Sequence, residues 1–245
     1  MTVEFVALLL AGALSGGFIN GLAGFGTALF ALGWWLQIMP PKQAVALVLV
    51  LSVASGIQGA IVVRHAIRPR RLALFLVPGL ATIPIGLHLL SLIDAGTLKL
   101  IIAGFMLAYG GFFLIRRDLP SLSAPSPMID VAVGGVGGAL GAMAGLSGAL
   151  PTMWLAMRDW TKEQTRAVLQ PYNLTILGIS ALLLAWDGAY DRQTLLLIAI
   201  ALPATMAAAQ VGIWTFRRMQ DSQFRRLLVA MTFLGGIIIL VREVV

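Results

Sequence analysis

The sequence contains no cysteine, only two histidines and few charges. The lack of cysteine excludes disulfides, thiolate metal sites and a cysteine nucleophile. His65 and His88 are too few to build a histidine-rich metal or haem centre. Charged residues make up 11% of the 245, against about 25% in a typical soluble domain. Hydrophobic residues reach 59% and mean hydropathy is +0.94. An ordinary soluble enzyme, a disordered chain and a nucleic-acid-binding module are thereby excluded; no nucleic-acid partner, metal or cofactor is expected. What the chain has in quantity is long apolar runs. Eight spans of about 20 residues would occupy roughly 160 residues, which fits. The fold class is an all-α polytopic membrane protein whose main partner is the lipid bilayer. The chain is apolar from Val3 with no basic stretch before it, so this start reads as a membrane segment rather than a cleaved signal.

Apolar runs between charges and turn residues divide the chain into eight segments: 3–39, 42–63, 72–92, 97–116, 128–158, 163–187, 193–214 and 223–242. The first and fifth are too long for one helix and are rich in glycine. The polar stretch 116–127, with proline and serine, reads as a linker. It separates a first transmembrane repeat, 1–115, from a second, 128–245. Residues 16–46 align without gaps on 137–167 at an offset of 121, matching Gly16 with Gly137, Gly17 with Gly138 and Gly24 with Gly145. Residues 86–116 align on 212–242 at an offset of 126, matching Gly86 with Gly212 and Gly110 with Gly236.

Charge orients the halves. Loops 64–71 and 217–226 and the linker are rich in arginine, which places them in the cytoplasm by the positive-inside rule. Equivalent loops then fall on opposite sides, so the repeats have inverted topology. Inversion requires an odd number of crossings per half. Each Gly-rich segment must therefore enter and return as a helical hairpin, followed by three transmembrane helices. The second returning limb, 148–158, would rise only about 16 Å, putting its turn near the midplane. This topology places 13 of the 17 Lys and Arg inside, while the 10 acids split evenly. The net charge of +7 is then a topology signal.

Irregular backbone at membrane depth is costly unless it is buried in protein or lines a cavity. Here two turns should approach from opposite sides: Gly24, Phe25, Gly26 and Thr27, and Gly145, Leu146, Ser147 and Gly148. Each begins a returning helix, whose first N–H groups and dipole favour an anion. Broken helices in inverted repeats with a midplane site are the common plan of secondary transporters. Asn20 precedes the first turn. Ser52, Ser55 and Gln58 recur along one face of the second segment, and Gln170 and Asn173 along one face of the sixth. The candidate substrate-binding set is Asn20, Gly24, Phe25, Gly26, Thr27, Ser52, Gly145, Leu146, Ser147, Gly148, Gln170 and Asn173.

Blander readings compete. Gly-xxx-Gly spacings also serve close helix packing. Thr27 and Ser147 are also placed to cap helices, and Ser52 and Ser55 to bond their own helix carbonyls. Gln43 and Gln164 read as caps and Tyr172 as core. Arg166 either attracts an anion at an inner vestibule or snorkels to headgroups. An intramembrane enzyme finds no support: the Gly145-Leu146-Ser147-Gly148-Ala149 turn lacks the final glycine of G-x-S-x-G, and Ser147 has no evident base. Positive helix ends argue against a cation permease. Extended apolar faces allow a homodimer.

The doubled Gly-rich segments, GFINGLAGFGTALF and GALGAMAGLSGALP, are each followed by a short helix and a new span opening at Pro41-Lys42-Gln43-Ala44 or Lys162-Glu163-Gln164. In these features, over nearly its whole length, the chain resembles the TauE/SafE family of anion permeases. Phe30 stands where the family has a proline in the first half. Leu47-Val48 and Val168-Leu169 stand where it commonly has Thr-Ser. The resemblance implies export of a small anion such as sulfite or an organosulfonate such as sulfoacetate, from a bacterial cytoplasmic (inner) membrane. An anion channel, a small-carboxylate permease and a non-transporting membrane subunit stay open as alternatives.

Overall fold

A computed structural model describes residues 2–115, 126–158 and 160–220, with Phe233, Ile237, Leu240 and Val241. Most of the linker and most of the expected eighth span, 223–242, lie outside the described residues.

Among the described residues every regular element is helical: α1 (Val3–Ala23), α2 (Thr27–Trp35), α3 (Pro41–Val63), α4 (Pro69–Leu92), α5 (Ala95–Ile115), α6 (Pro127–Ala144), α7 (Ala149–Leu155), α8 (Lys162–Trp186) and α9 (Arg192–Arg218). A single 3₁₀ turn, Arg64–Ala66, links α3 to α4. All but α2 and α7, seven in number, are long and apolar enough to cross a membrane. This makes the chain a multi-pass membrane protein.

Local chemistry sets the helix starts. Proline occupies the first position of α3, α4 and α6, where its missing N–H costs nothing. Thr161 and Gln164 form a reciprocal capping box at α8, the capping role expected for Gln164. Gln43 instead donates to Thr194 Oγ at 3.2 Å. Asp191 caps α9 by accepting from the Thr194 N–H at 2.7 Å. Hydrogen bonds from the Thr194 side chain and backbone hold the Asp191 carboxyl below its ordinary pKa. The cap is therefore intact at neutral pH and lost as pH falls through that lowered value.

The centre of the molecule is α3, with Ala44 to Leu49 and Leu51 all fully buried and the one polar face of Ser52, Ser55 and Gln58 in its second half. It runs antiparallel to α8: Gly178 faces Val53, Gly56 faces Leu174, and Gly59 faces Gln170 and Arg166. The outer faces carry exposed apolar side chains such as Val77, Leu92, Leu182 and Leu196, as a lipid-facing surface requires.

Both Gly-rich segments reverse direction. Helix α2 folds back along α1, with Gly16 against Thr27 and Ala31, Gly12 against Trp35, and the Trp35 indole donating to Leu9 O at 3.0 Å. Helix α7 folds back along α6, with Gly141 against Ser147 and Gly137 against Pro151. At its foot the Trp154 indole and the Arg158 guanidinium both donate to Asp130, at 2.6 and 2.9 Å. The returning helices have nine and seven residues, about 13 and 10 Å, far short of a crossing. Helix α7 is shorter than its limb because Met157 and Arg158 bond to Trp154 and Leu155 with the tighter i→i+3 spacing. Helices α1 and α6, with 21 and 18 residues, could cross alone by length.

Two long parallel contacts brace this arrangement. Gly17 lies on the backbone of Thr205 and Gly21 on that of Ala209, joining α1 to α9. Gly134 lies on Phe75 and Gly138 on Gly79, joining α6 to α4. At these positions the packing reading of the Gly-xxx-Gly spacings holds. Substituting Gly138→Leu should push α4 and α6 apart and cost about 1–3 kcal/mol or more. Gly104, where an added methyl meets nothing within 4 Å among the described residues, should instead gain about 0.5–1 kcal/mol on Gly104→Ala. Thermal melts of the two purified variants in detergent check the opposite signs.

Candidate functional site

The turns are built by glycine. Gly24 ends α1 at φ 81°, Gly145 ends α6 at φ 70°, and Gly26 precedes α2 at φ 98°. This left-handed backbone would strain any other residue. There is no room for a side chain either: a methyl on Gly145 would meet Val48 at 2.5 Å, and one on Gly148 would meet Phe25 at 2.5 Å.

One side chain ties both turns to α8. Asn173 Nδ2 donates to Gly24 O at 3.0 Å, while its Oδ1 accepts from Ser147 Oγ at 2.8 Å. Opposite it, Asn20 Nδ2 donates to Ser52 O and Ser55 Oγ, at 3.1 and 2.6 Å, tying the end of α1 to α3. Ser52 lies eleven residues from either end of α3, and Asn173 eleven from the start of α8, about 16 Å in each case. Both turns therefore rest against the middle of long helices.

Between them is a narrow cleft of about 10 Å³, room for about one water molecule as it stands. It is lined by Asn20, Phe25, Gly26, Thr27, Ser52, Gly145, Ser147, Gly148, Gln170 and Asn173, so most of the expected set converges on it. Gly24 and Leu146 do not line it. Gly24 serves through its carbonyl, and the Leu146 N–H is bonded to Leu140 O at 3.2 Å. Gly56, Leu174 and Leu177 line the cleft and were not expected. Gly56 lies one turn beyond Ser52, so its position was readable from spacing. The two leucines resemble any other membrane-helix leucine.

Neither Thr27 nor Ser147 caps a helix. Gly26 and Gly148 hold those positions, and neither returning helix has a side-chain cap. Ser147 is committed to Asn173, but Thr27 Oγ has no hydrogen-bond partner among the described residues while only 2% exposed. Ser52 Oγ is in the same condition at 6% exposed, so it does not bond its own helix carbonyl. Ser55 does, donating to Leu51 O at 2.7 Å. Gln58 lies against Met206, away from the cleft. Tyr172 is core, its hydroxyl donating to Gly134 O at 2.6 Å.

Arg166 does not snorkel. It is 2% exposed, donates to Gly21 O at 2.9 Å and packs its guanidinium 4.4 Å from the centre of the Phe216 ring. Gln170, one turn further on, donates to Gly56 O at 2.9 Å, and its Oε1 lies beside Gly24 and Gly59 on the Arg166 side. His88 is exposed on α4.

The arrangement offers two unused hydroxyl donors and the uncapped start of α2, in a cleft lined by no carboxylate among the described residues. Buried donors without acceptors are rare in native proteins and mark a place for a ligand or ordered water. A small anion, accepting from every direction, matches them.

The family model described as sulfite exporter TauE/SafE matches residues 8–239, nearly the whole chain. No curated protein and no solved structure matches.

Removing Asn173 should leave Ser147 and Gly24 O without partners. Asn173→Ala should therefore lower stability by about 1–3 kcal/mol. Thr27→Val removes a hydroxyl that bonds nothing and should leave stability nearly unchanged. Chemical or thermal unfolding in one detergent compares the two; equal losses would mean that Thr27 has a structural partner.

Proposed function

The chain belongs to the TauE/SafE sulfite exporter family, a family of membrane transporters, and on that premise we propose that it carries a small sulfur oxyanion or organosulfonate by alternating access around the cleft. The observation that carries this reading is the pair of buried, unused hydroxyls, Thr27 and Ser52, where two broken helices meet without a carboxylate. In this reading the hydroxyls and the first N–H groups of α2 replace the water that solvates the anion outside. Outward direction comes from the family description alone.

Several contacts support two inverted repeats as the moving parts. The equivalent glycines Gly24 and Gly145 both end a helix in the left-handed conformation. Exchanging the halves also turns one helix contact into the other. Gly212 lies on Phe18 and Gly21, and its equivalent Gly86 lies on Ala139 and Ala142, the equivalents of Phe18 and Gly21. Helices α3 and α8 cross antiparallel, as a two-fold axis in the membrane plane between them would require.

Loop positions support the orientation. Arg71 stacks 4.8 Å from the Trp160 ring centre, joining two arginine-side loops, and Lys42 pairs with Asp187 at the other face. The positive-inside rule then puts the Arg71 face in the cytoplasm and the Lys42–Asp187 face outside.

Flux into proteoliposomes tests the proposal, with sulfite, sulfoacetate, sulfate and acetate in parallel. Saturable movement of a sulfur anion is expected, reduced at least about tenfold by combining Thr27→Val with Ser52→Ala, since each charge-assisted hydrogen bond contributes about 1.5–3 kcal/mol. Absence of flux for every anion would overturn the reading. Non-saturating current instead of saturable flux would make the protein a channel.

A further inference from the structure

Helix α8 carries a buried cation that nothing in the cleft's own hydrogen bonding uses. Among the described residues the Arg166 guanidinium contacts neutral partners: Gly21 O at 2.9 Å, Leu22 O at 3.5 Å and the Phe216 ring. Its Nε has no acceptor among the described residues. The ion pairs among those residues, Lys42 with Asp187 and Arg158 with Asp130, lie elsewhere. Arg217 adds to the positive field, but it is exposed at the end of α9 and solvent screens it.

An unpaired buried charge is among the costliest features a protein retains. The last carbonyls of α1 offset part of it, since a helix end amounts to about half a negative charge. Arg166 does not itself line the cleft; Gln170, one turn further along α8, does, and a methyl on Gly24 would lie 3.4 Å from Arg166 Nε and 2.5 Å from Gln170 Oε1.

Resting on the anion-transport reading above, we infer that Arg166 is the fixed counter-charge of the cleft and selects a singly charged anion over a doubly charged one. A monoanion in the cleft, with Arg166 one turn of α8 away from the lining residue Gln170, brings the buried region close to neutrality. A dianion leaves a net negative charge in a low-dielectric interior, where no second buried cation among the described residues faces it. This narrows the substrate to hydrogensulfite or a simple alkanesulfonate. It disfavours sulfoacetate, which carries a carboxylate as well as a sulfonate.

The test is anion-dependent thermal stabilisation of the purified protein, using methanesulfonate as the monoanion and sulfate as the dianion at matched ionic strength. Wild type should respond to methanesulfonate at concentrations at least about tenfold lower than to sulfate. Arg166→Gln should weaken the methanesulfonate response on the order of tenfold and erase the difference, while Arg166→Lys keeps it. Should Arg166→Gln not fold, wild type alone decides, because a response to sulfate equal to or stronger than that to methanesulfonate overturns the inference. An Arg166→Gln protein with wild-type affinity and discrimination would make Arg166 a cap of α1 only and would leave the transport reading standing. A wild type that responds to neither probe and moves no sulfur anion would remove the transport reading and this inference together.

Discussion

A backbone that stops being helical halfway along a membrane helix bundle exposes N–H and C=O groups where no lipid can bond them. The protein meets this constraint with buried amides. Asn173 accepts from Ser147 in one turn and donates to Gly24 O in the other, so the two reversals are held to each other through α8. Asn20 does the corresponding work toward α3 through Ser52 O and Ser55. Losing Asn173 would leave Ser147 Oγ and Gly24 O buried without these partners, and the two turns would lose their tie through α8.

The rest of the packing follows from bringing these turns inside. Two short returning helices must fit within the bundle, so the helices around them approach to backbone contact. That explains the glycines facing Thr205, Ala209, Phe75 and Gly79 across the α1–α9 and α4–α6 contacts. Close packing then consumes most polar groups in local bonds, as Ser55, Ser180 and Thr205 do with their own helices. Against that background the unused hydroxyls of Thr27 and Ser52 stand out as chemistry the fold does not need for itself.

Much of this was legible in the residue order because the constraint acts on residue type. Left-handed backbone calls for glycine, so Gly24, Gly26 and Gly145 announced the turns. Amides are expensive on an apolar helix, so Gln170 and Asn173 announced the wall they face. Other features are set by partners far along the chain. Arg166 reads like any basic residue near a helix start until its contact with Gly21, 145 residues away, shows it buried. The free hydroxyl of Ser52 and the bonded one of Ser55 could not be told apart by spacing, because only the first faces the cleft. Leu174 and Leu177 carry no signal of their own.

The central claim is that an anion occupies the space between Thr27 and Ser52. Anomalous diffraction from crystals grown with selenite, the heavier analogue of sulfite, tests it most directly. The account places a selenium peak within hydrogen-bond reach of both hydroxyls and of the first N–H groups of α2. A peak elsewhere in the bundle, or an empty cleft in a protein that transports selenite, would contradict it.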